Sequence, residues 1–301
     1  MAIVDTTRPI TAESCNRMIL ELVQAYPFCR TEELTTTAYG RPVRTLVLGT
    51  GKRKVIFTAA HHANEWITAL VLLKYAEDLC GGAIPNARQI LDTATIYMVP
   101  MVNPDGVDLV VGAIEPDSVS YEKAEELAEF YPQIPFPSGW KANLKGVDLN
   151  LQYPALWRLA REIKSMQGYT RPGPRDFVGR APLTQMEARA LAGYTEYIDP
   201  ALVLAYHSQG KVIYWQFADF VVPGARELGE EFARLSGYTL DDTPYESSFA
   251  GYKDWFIQNF RKPGYTIEVG EGENPLPLSQ FDEIYRDNIG IMSTAALGFS
   301  S

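Results

Sequence analysis

Three histidines are all that this 301-residue chain possesses, and two of them open the segment His61-His62-Ala63-Asn64-Glu65-Trp66-Ile67-Thr68. The third, His207, directly follows the apolar run Ala201-Leu202-Val203-Leu204-Ala205 and Tyr206. Imidazole is the commonest metal ligand and the one side chain whose unperturbed pKa lies near neutral. His62 and Glu65, three residues apart, can converge on one ion from the turn that links a strand to a helix, and the distant His207 completes the set. Two histidines and one glutamate form a catalytic zinc set whose fourth position stays open to water. One zinc per chain is expected, because three histidines do not assemble a second such set. H-x-x-E alone arises by chance in many chains, so its surroundings have to carry the reading.

Those surroundings alternate apolar strand-like runs with amphipathic segments, the pattern of an α/β fold around a largely buried sheet. The expected strands are 43–48, 54–58, 95–102, 202–206, 212–216 and 265–269. The expected helices are 12–26, 65–80, 121–130, 184–197, 225–236 and 280–294. Thr11 is suited to cap the first helix and the Gly81-Gly82 pair to end the second. On this assignment His62, Asn103, His207 and Glu268 all fall at or near carboxyl ends of strands, the edge at which open α/β sheets bind ligands. Histidines that merely satisfied a polar interior would have no reason to gather at that edge beside an acid.

With 46% hydrophobic residues the chain can bury a large core, and neither a linker nor an internal repeat divides it, so residues 1–301 are expected to form a single domain. A formal charge of −10, from 27 basic and 37 acidic residues, argues against nucleic-acid binding, which needs clustered Lys and Arg. Cys15, Cys29 and Cys80 show no C-x-x-C spacing and are expected as buried thiols of a reducing compartment. The first residues lack the basic start and apolar core of a signal peptide, and no apolar run is long enough to span a membrane. A cytoplasmic protein with no membrane partner is the expectation.

The segment His62-Ala63-Asn64-Glu65-Trp66-Ile67-Thr68 resembles the H-x-x-E-W-I-T zinc segment of the zinc carboxypeptidases, peptidase family M14. Further segments follow in that family's order: Asn103-Pro104-Asp105-Gly106, read as a turn after a central strand, Gly146-Val147-Asp148-Leu149-Asn150, His207-Ser208 and Thr266-Ile267-Glu268. The resemblance spans about Thr37 to Leu278. It implies a single-domain mixed, mostly parallel sheet flanked by helices, with zinc held by His62, Glu65 and His207. It further implies Glu268 as the base that takes a proton from attacking water and returns one to the leaving amine, as one carboxylate can. Glu268 lies between apolar neighbours, where a charge is costly without a role or partner; Glu271 and Glu273 read as loop carboxylates. By the same resemblance Lys141, in Trp140-Lys141-Ala142-Asn143, replaces an arginine beside the oxyanion, giving the charge without the planar fork. Asp148 is matched to a group that orients a zinc-bound histidine through its second ring nitrogen. His61 is expected to pack or to support, since on an extended stretch it points away from His62.

The chain departs from that pattern where substrate is bound. The Asn-Arg pair that holds a terminal carboxylate reads Asn150-Leu151 here, and leucine offers no bidentate charged hydrogen bonds. Asn64 takes the place of an arginine of the pancreatic-type members, and alignment puts Glu246, beside Tyr245, at their mobile tyrosine. The altered residues are similar to a bacterial branch, the γ-D-glutamyl-L-diamino acid peptidases of peptidoglycan stem peptides, whose LysM repeats are not recognised here, nor is a propeptide. The implied substrate is a peptidoglycan-derived peptide cut between D-glutamate and diaminopimelate or lysine. Its extra carboxylate calls for cations, sought among Arg171, Arg175, Arg180, Lys211 and Lys253; Asn150, Arg175 and Tyr245 are the substrate-binding candidates. The alternative readings are a zinc carboxypeptidase or N-acyl amino acid hydrolase of altered specificity, or a binding module that has lost its chemistry.

Overall fold

The computed structural model describes residues 2–298. Its strands are β1 (Glu33–Thr36), β2 (Pro42–Arg44), β3 (Leu46–Leu48), β4 (Arg53–Thr58), β5 (Ala94–Val99), β6 (Leu202–His207), β7 (Val212–Tyr214), β8 (Thr239–Asp241) and β9 (Gly264–Glu268). The α-helices are α1 (Ala12–Ala25), α2 (Ile67–Cys80), α3 (Ala87–Thr93), α4 (Pro104–Val110) and α5 (Val119–Ala128), then α6 (Trp157–Met166), α7 (Met186–Ile198), α8 (Ala225–Ser236), α9 (Tyr252–Phe260) and α10 (Phe281–Leu297).

Seven strands form one sheet in the order β3-β5-β4-β6-β9-β7-β8, parallel through its centre from β5 to β9. Only β3 against β5 and β7 against β9 run antiparallel in that sheet. The expected mixed, mostly parallel α/β sheet is thus the fold. Its central strands are near-continuous apolar runs because both faces are covered. Alternation sends Val55 and Phe57 of β4 and Leu202, Leu204 and Tyr206 of β6 to one core, shared with α1, α2, α8 and α10. Ile56, Val203 and Ala205 face the other core, built with α6, α7 and α9. A third cluster, holding Ala63, Leu109, Ala124, Trp140 and Ala142, fills the space beside the site.

Several expected boundaries shift for identifiable reasons. The strand read over 43–48 is two strands in different sheets: β2 pairs with β1 in a separate ribbon, and β3 joins the main sheet. Thr45 sits between them with its N–H donating to Glu32 O. The strand read over 95–102 stops before Pro100, and the helix read from Glu65 begins only at Ile67, after a 3₁₀ turn over Ala63–Glu65. Asn103-Pro104-Asp105-Gly106 opens α4 rather than a turn: Asn103 caps Gly106 N and proline occupies the first position, where a missing N–H costs nothing. Thr11 caps α1 as expected, in a reciprocal box with Ser14.

The thiols also differ from expectation. Cys15 and Cys29 are buried, whereas Cys80 is half-exposed and its Sγ lies 3.3 Å from that of Cys29. No described helix is long and apolar enough to cross a membrane.

Candidate functional site: a metal centre at the sheet edge

His207 and Glu268 are the last residues of β6 and β9 and are direct partners in the parallel register. His62 comes four residues after β4, in extended backbone that leads into the Ala63–Glu65 turn. That turn is held from several directions. Thr68 Oγ1 accepts from Ala60 N at 3.0 Å and donates to Glu65 O at 2.7 Å, which gives the threonine of the segment its use. Asn103 Nδ2 donates to His61 O and Ala142 O at 3.2 and 3.0 Å, and Ala63 N donates to Lys141 O. Gly106 lets these segments close up, since a Cβ there would lie 2.5 Å from Ala142 O and 2.8 Å from Ala63 Cβ.

Within this frame the sequence-selected ligands converge. His62 Nδ1 is 2.8 Å from Glu65 Oε1, His207 Nδ1 is 2.8 Å from Glu65 Oε2, and the two ring nitrogens are 3.2 Å apart. One ligand atom from each of the three residues lies within 4.8 Å of the others. Two nitrogens bound to a tetrahedral zinc at ~2.0–2.1 Å stand roughly 3.3 Å apart, so the donor types and their spacing fit that ion. Glu65 and His207 are each 1% exposed. On the far side of His62, Nε2 meets Asp148 Oδ1 at 3.2 Å, which fixes the ring with Nδ1 facing inward.

The electrostatics favour a cation. Burial opposes charge on His62, yet Glu65 and Asp148 outweigh it and raise the ring to about 9. Glu65, despite its burial, is held well below the usual carboxylate range by His62, Lys141 and His207. Asp148 is likewise held down, against its burial, by His62 and Lys141. Glu268 goes the other way: burial, then the negative charge of Glu65, push it up to about 8. A carboxylate with its affinity for protons raised toward neutral is suited to exchanging them.

Lys141 Nζ is 3.4 Å from Glu65 Oε1, at the end of a stem anchored by the fully buried Trp140. Burial opposes its charge and Glu65 restores it. His61 does not face the metal set. Its Nε2 lies 3.2 Å from Tyr153 Oη and its ring stacks on His207 at 5.7 Å, the packing role expected of it.

A cavity of about 900 Å³ opens over these groups, lined by His62, Lys141, His207 and Glu268 and on its walls by Asn150, Leu151, Arg175 and Lys253. Asn150 accepts from Tyr252 N through Oδ1. Lys253 is committed to Asp254, Gln216 O and Thr243. The structure does not bring Tyr245 into the cavity: the ring is 63% exposed and packs on Phe249, while Glu246 lines the wall. Arg171 lies over Phe130, Lys211 pairs with Glu283, and Arg180 is exposed outside the lining. Lys164 and Asp176, which line the wall and pair at 2.8 Å, were not singled out by the sequence. The strong amphipathic stripe Trp157, Ala160, Ile163, Lys164 would have revealed α6 and the inward face of that lysine.

The family model for zinc carboxypeptidases matches residues 15–290. The chain belongs to the zinc carboxypeptidase family. As a member it is a zinc-dependent metallopeptidase, a hydrolase, with His62, Glu65 and His207 as its possible zinc site. It is 42% identical over 281 residues to γ-D-glutamyl-L-diamino acid endopeptidase 1 of Lysinibacillus sphaericus, covering 91% of this chain and 68% of that protein. It is 37% identical over 283 residues to the uncharacterized protein YqgT of Bacillus subtilis (strain 168), covering 91% of this chain and 73% of that one. The zinc carboxypeptidase fold is evident in carboxypeptidase A from Helicoverpa armigera, with a TM-score of 0.73 at 17% identity, over 97% of this chain and 75% of that one.

Proposed function

We propose that this zinc peptidase hydrolyses the amide between γ-linked D-glutamate and the diamino acid, diaminopimelate or lysine, of peptidoglycan stem peptides. The observation that carries the substrate class is the 42% identity, over nearly the whole chain, to an endopeptidase named for that bond. The cavity supports it: Leu151 lines the wall where a carboxylate-binding arginine is expected, so a conventional terminal-carboxylate clamp is missing from that position.

In this reading His62, Glu65 and His207 hold one zinc, and Asp148 keeps the His62 ring turned toward it. Zinc, when bound, supplies Lewis acidity and activates water for attack at neutral pH. Glu268 accepts the proton of the attacking water on its carboxylate and delivers it to the leaving amine nitrogen. Lys141 Nζ faces the oxygen on which negative charge develops and stabilises it. Asn150 Nδ2, whose partner oxygen is taken by Tyr252 N, presents a donor to the substrate. His61 stays neutral, because burial and the neighbouring imidazoles push its pKa well down, and it wedges His207 in place.

Residues 1–301 act in this reading as one catalytic unit in the cytoplasm, on soluble wall-derived peptides. Three cysteines without C-x-x-C spacing support a reducing compartment. The test is incubation with L-Ala-γ-D-Glu-meso-diaminopimelate and, separately, with blocked L-dipeptides, with products identified by mass. Release of diaminopimelate and L-Ala-D-Glu is expected. Trimming of blocked dipeptides with the muropeptide left intact would overturn the reading in favour of a conventional carboxypeptidase or N-acyl amino acid hydrolase.

A further inference from the structure

The loop that carries Arg175 is laced to the segment that carries Lys141 and Asp148. Lys141 N and Ala142 N both donate to Pro174 O, at 2.7 and 2.9 Å, and Gly173 N donates to Gly146 O. Asp148 N donates to Phe177 O at 2.9 Å, and Asp176 N returns a bond to Asp148 Oδ2 at 3.3 Å. Gly173 packs so tightly on the Tyr131 ring that a Cβ there would overlap it. A cation on such a loop is preorganised, unlike one on a free surface loop.

Arg175 itself is gripped from one side only. Its Nε donates to Asp176 Oδ2 at 2.6 Å, while Asp176 Oδ1 takes Lys164 Nζ at 2.8 Å. Asp176 is 8% exposed and stands at φ +63°, in the left-handed region that aspartate enters more readily than most residues. The two Nη groups of Arg175 have no hydrogen-bond partner among the described residues, and the side chain lines the cavity. Asp176 thus occupies Nε and leaves the two Nη groups, the end that can bind a carboxylate bidentately, unengaged on a side chain that lines the cavity.

We propose that Arg175, seated by the Lys164–Asp176 pair, is the specificity determinant for a free carboxylate on the acyl side of the scissile amide. This rests on the substrate class proposed above and deepens it. The side follows from the geometry. Glu268 protonates the leaving amine, so the amine half lies toward β9. Arg175 instead flanks Lys141, which faces the carbonyl oxygen of the acyl half, and is joined to it through Pro174 O. A γ-linked glutamyl group carries its α-carboxylate on that acyl half, four carbon–carbon bonds from the scissile carbonyl carbon. An α-linked glycyl or alanyl residue has no charge to offer there. Asp176 is then a positioning residue, which Arg175 and Lys164 together keep ionised against its burial and which Lys164 orients.

The test compares L-Ala-γ-D-Glu-meso-diaminopimelate with the peptide in which the D-glutamyl α-carboxylate is a carboxamide, on the zinc-loaded enzyme. The wild type should favour the acid by roughly 10- to 100-fold in kcat/KM, the scale of one charged hydrogen-bonded partner. Arg175→Ala should bring the two peptides to within about threefold, with zinc content unchanged, and Arg175→Lys should fall between because lysine lacks the fork. Asp176→Asn should raise KM for the acid more than for the amide, with kcat held, a split that a merely structural loss would not produce. A wild type that cuts both peptides equally, or an Arg175→Ala enzyme that keeps the preference, overturns this assignment and leaves the substrate class standing. A wild type that cuts neither overturns both.

Discussion

His62 and His207 bring their Nδ1 atoms to 3.2 Å of each other across the Glu65 carboxylate. Each Nδ1 also faces one oxygen of Glu65 at 2.8 Å, so the three donors are gathered at the spacing that one zinc ion requires. The convergence comes from two separate places, the end of β6 and the His62–Glu65 segment after β4, so no single local sequence creates it. The first expectation follows. Elemental analysis should find one zinc per chain, and His62→Ala or His207→Ala should lose metal and turnover together. Two tightly held metals per chain would break the ligand assignment.

Glu268→Gln should retain zinc and substrate while lowering kcat by ~10² to 10⁴, the scale of general acid–base catalysis. Turnover within a few-fold of the parent would move the proton-transfer role to another residue.

The raised Glu268 also makes a statement about stability. A carboxylate pushed up to about 8 in the metal-free fold takes its proton more readily folded than unfolded, where its pKa is ~4.3. Its contribution is therefore fully present below that unfolded value and is lost as pH rises through about 8. Metal-free wild type should lose Tm relative to metal-free Glu268→Gln between pH ~5 and ~8. Parallel Tm curves over that range would contradict it.

Lys141→Ala should lower kcat by roughly two orders of magnitude, on the order of 3 kcal/mol, comparable with loss of one oxyanion donor. Lys141→Arg should keep much of the activity, since it preserves the charge. A rise in KM at constant kcat would instead make Lys141 a ground-state binder.

Asp148→Asn should weaken zinc retention by about 10- to 100-fold, the usual cost of disturbing a residue that orients a metal-bound histidine. Its two oxygens accept from His62 Nε2 and Asp176 N, and an amide cannot accept on both sides. Competition with a chelator of known affinity reads the change directly.

Much of this was legible in the sequence because the central strands are buried on both faces and their apolar runs end where the chemistry starts. The ligands, Glu268 and the use of Asp148 could be matched to short motifs whose spacing is local. What escaped is what depends on contacts distant in sequence. Nothing near Tyr245 says that the ring turns outward onto Phe249 while Glu246 faces in. Lys164 on α6 and Asp176 in its loop meet only through the tertiary fold, and neither lies in a motif. Asn103-Pro104-Asp105-Gly106 carries both turn and helix-start chemistry, and α4 that follows it buries Leu109 in the cluster that holds Trp140.

The pairing of His207 with Glu268 in the β6–β9 register ties this chemistry to the correctness of the ladder itself. Because side chains alternate across a sheet, a slip of β9 by a single residue would turn Glu268 into the core shared with α1, α2, α8 and α10 and bring an aliphatic neighbour to the metal. Such a misassembled molecule would keep its helices, its strand content and its zinc ligands. Far-ultraviolet spectra and metal analysis would both pass it as intact. Peptide hydrolysis would not, so turnover per zinc is a quality assay for refolded preparations, counting only the molecules whose strands are in step.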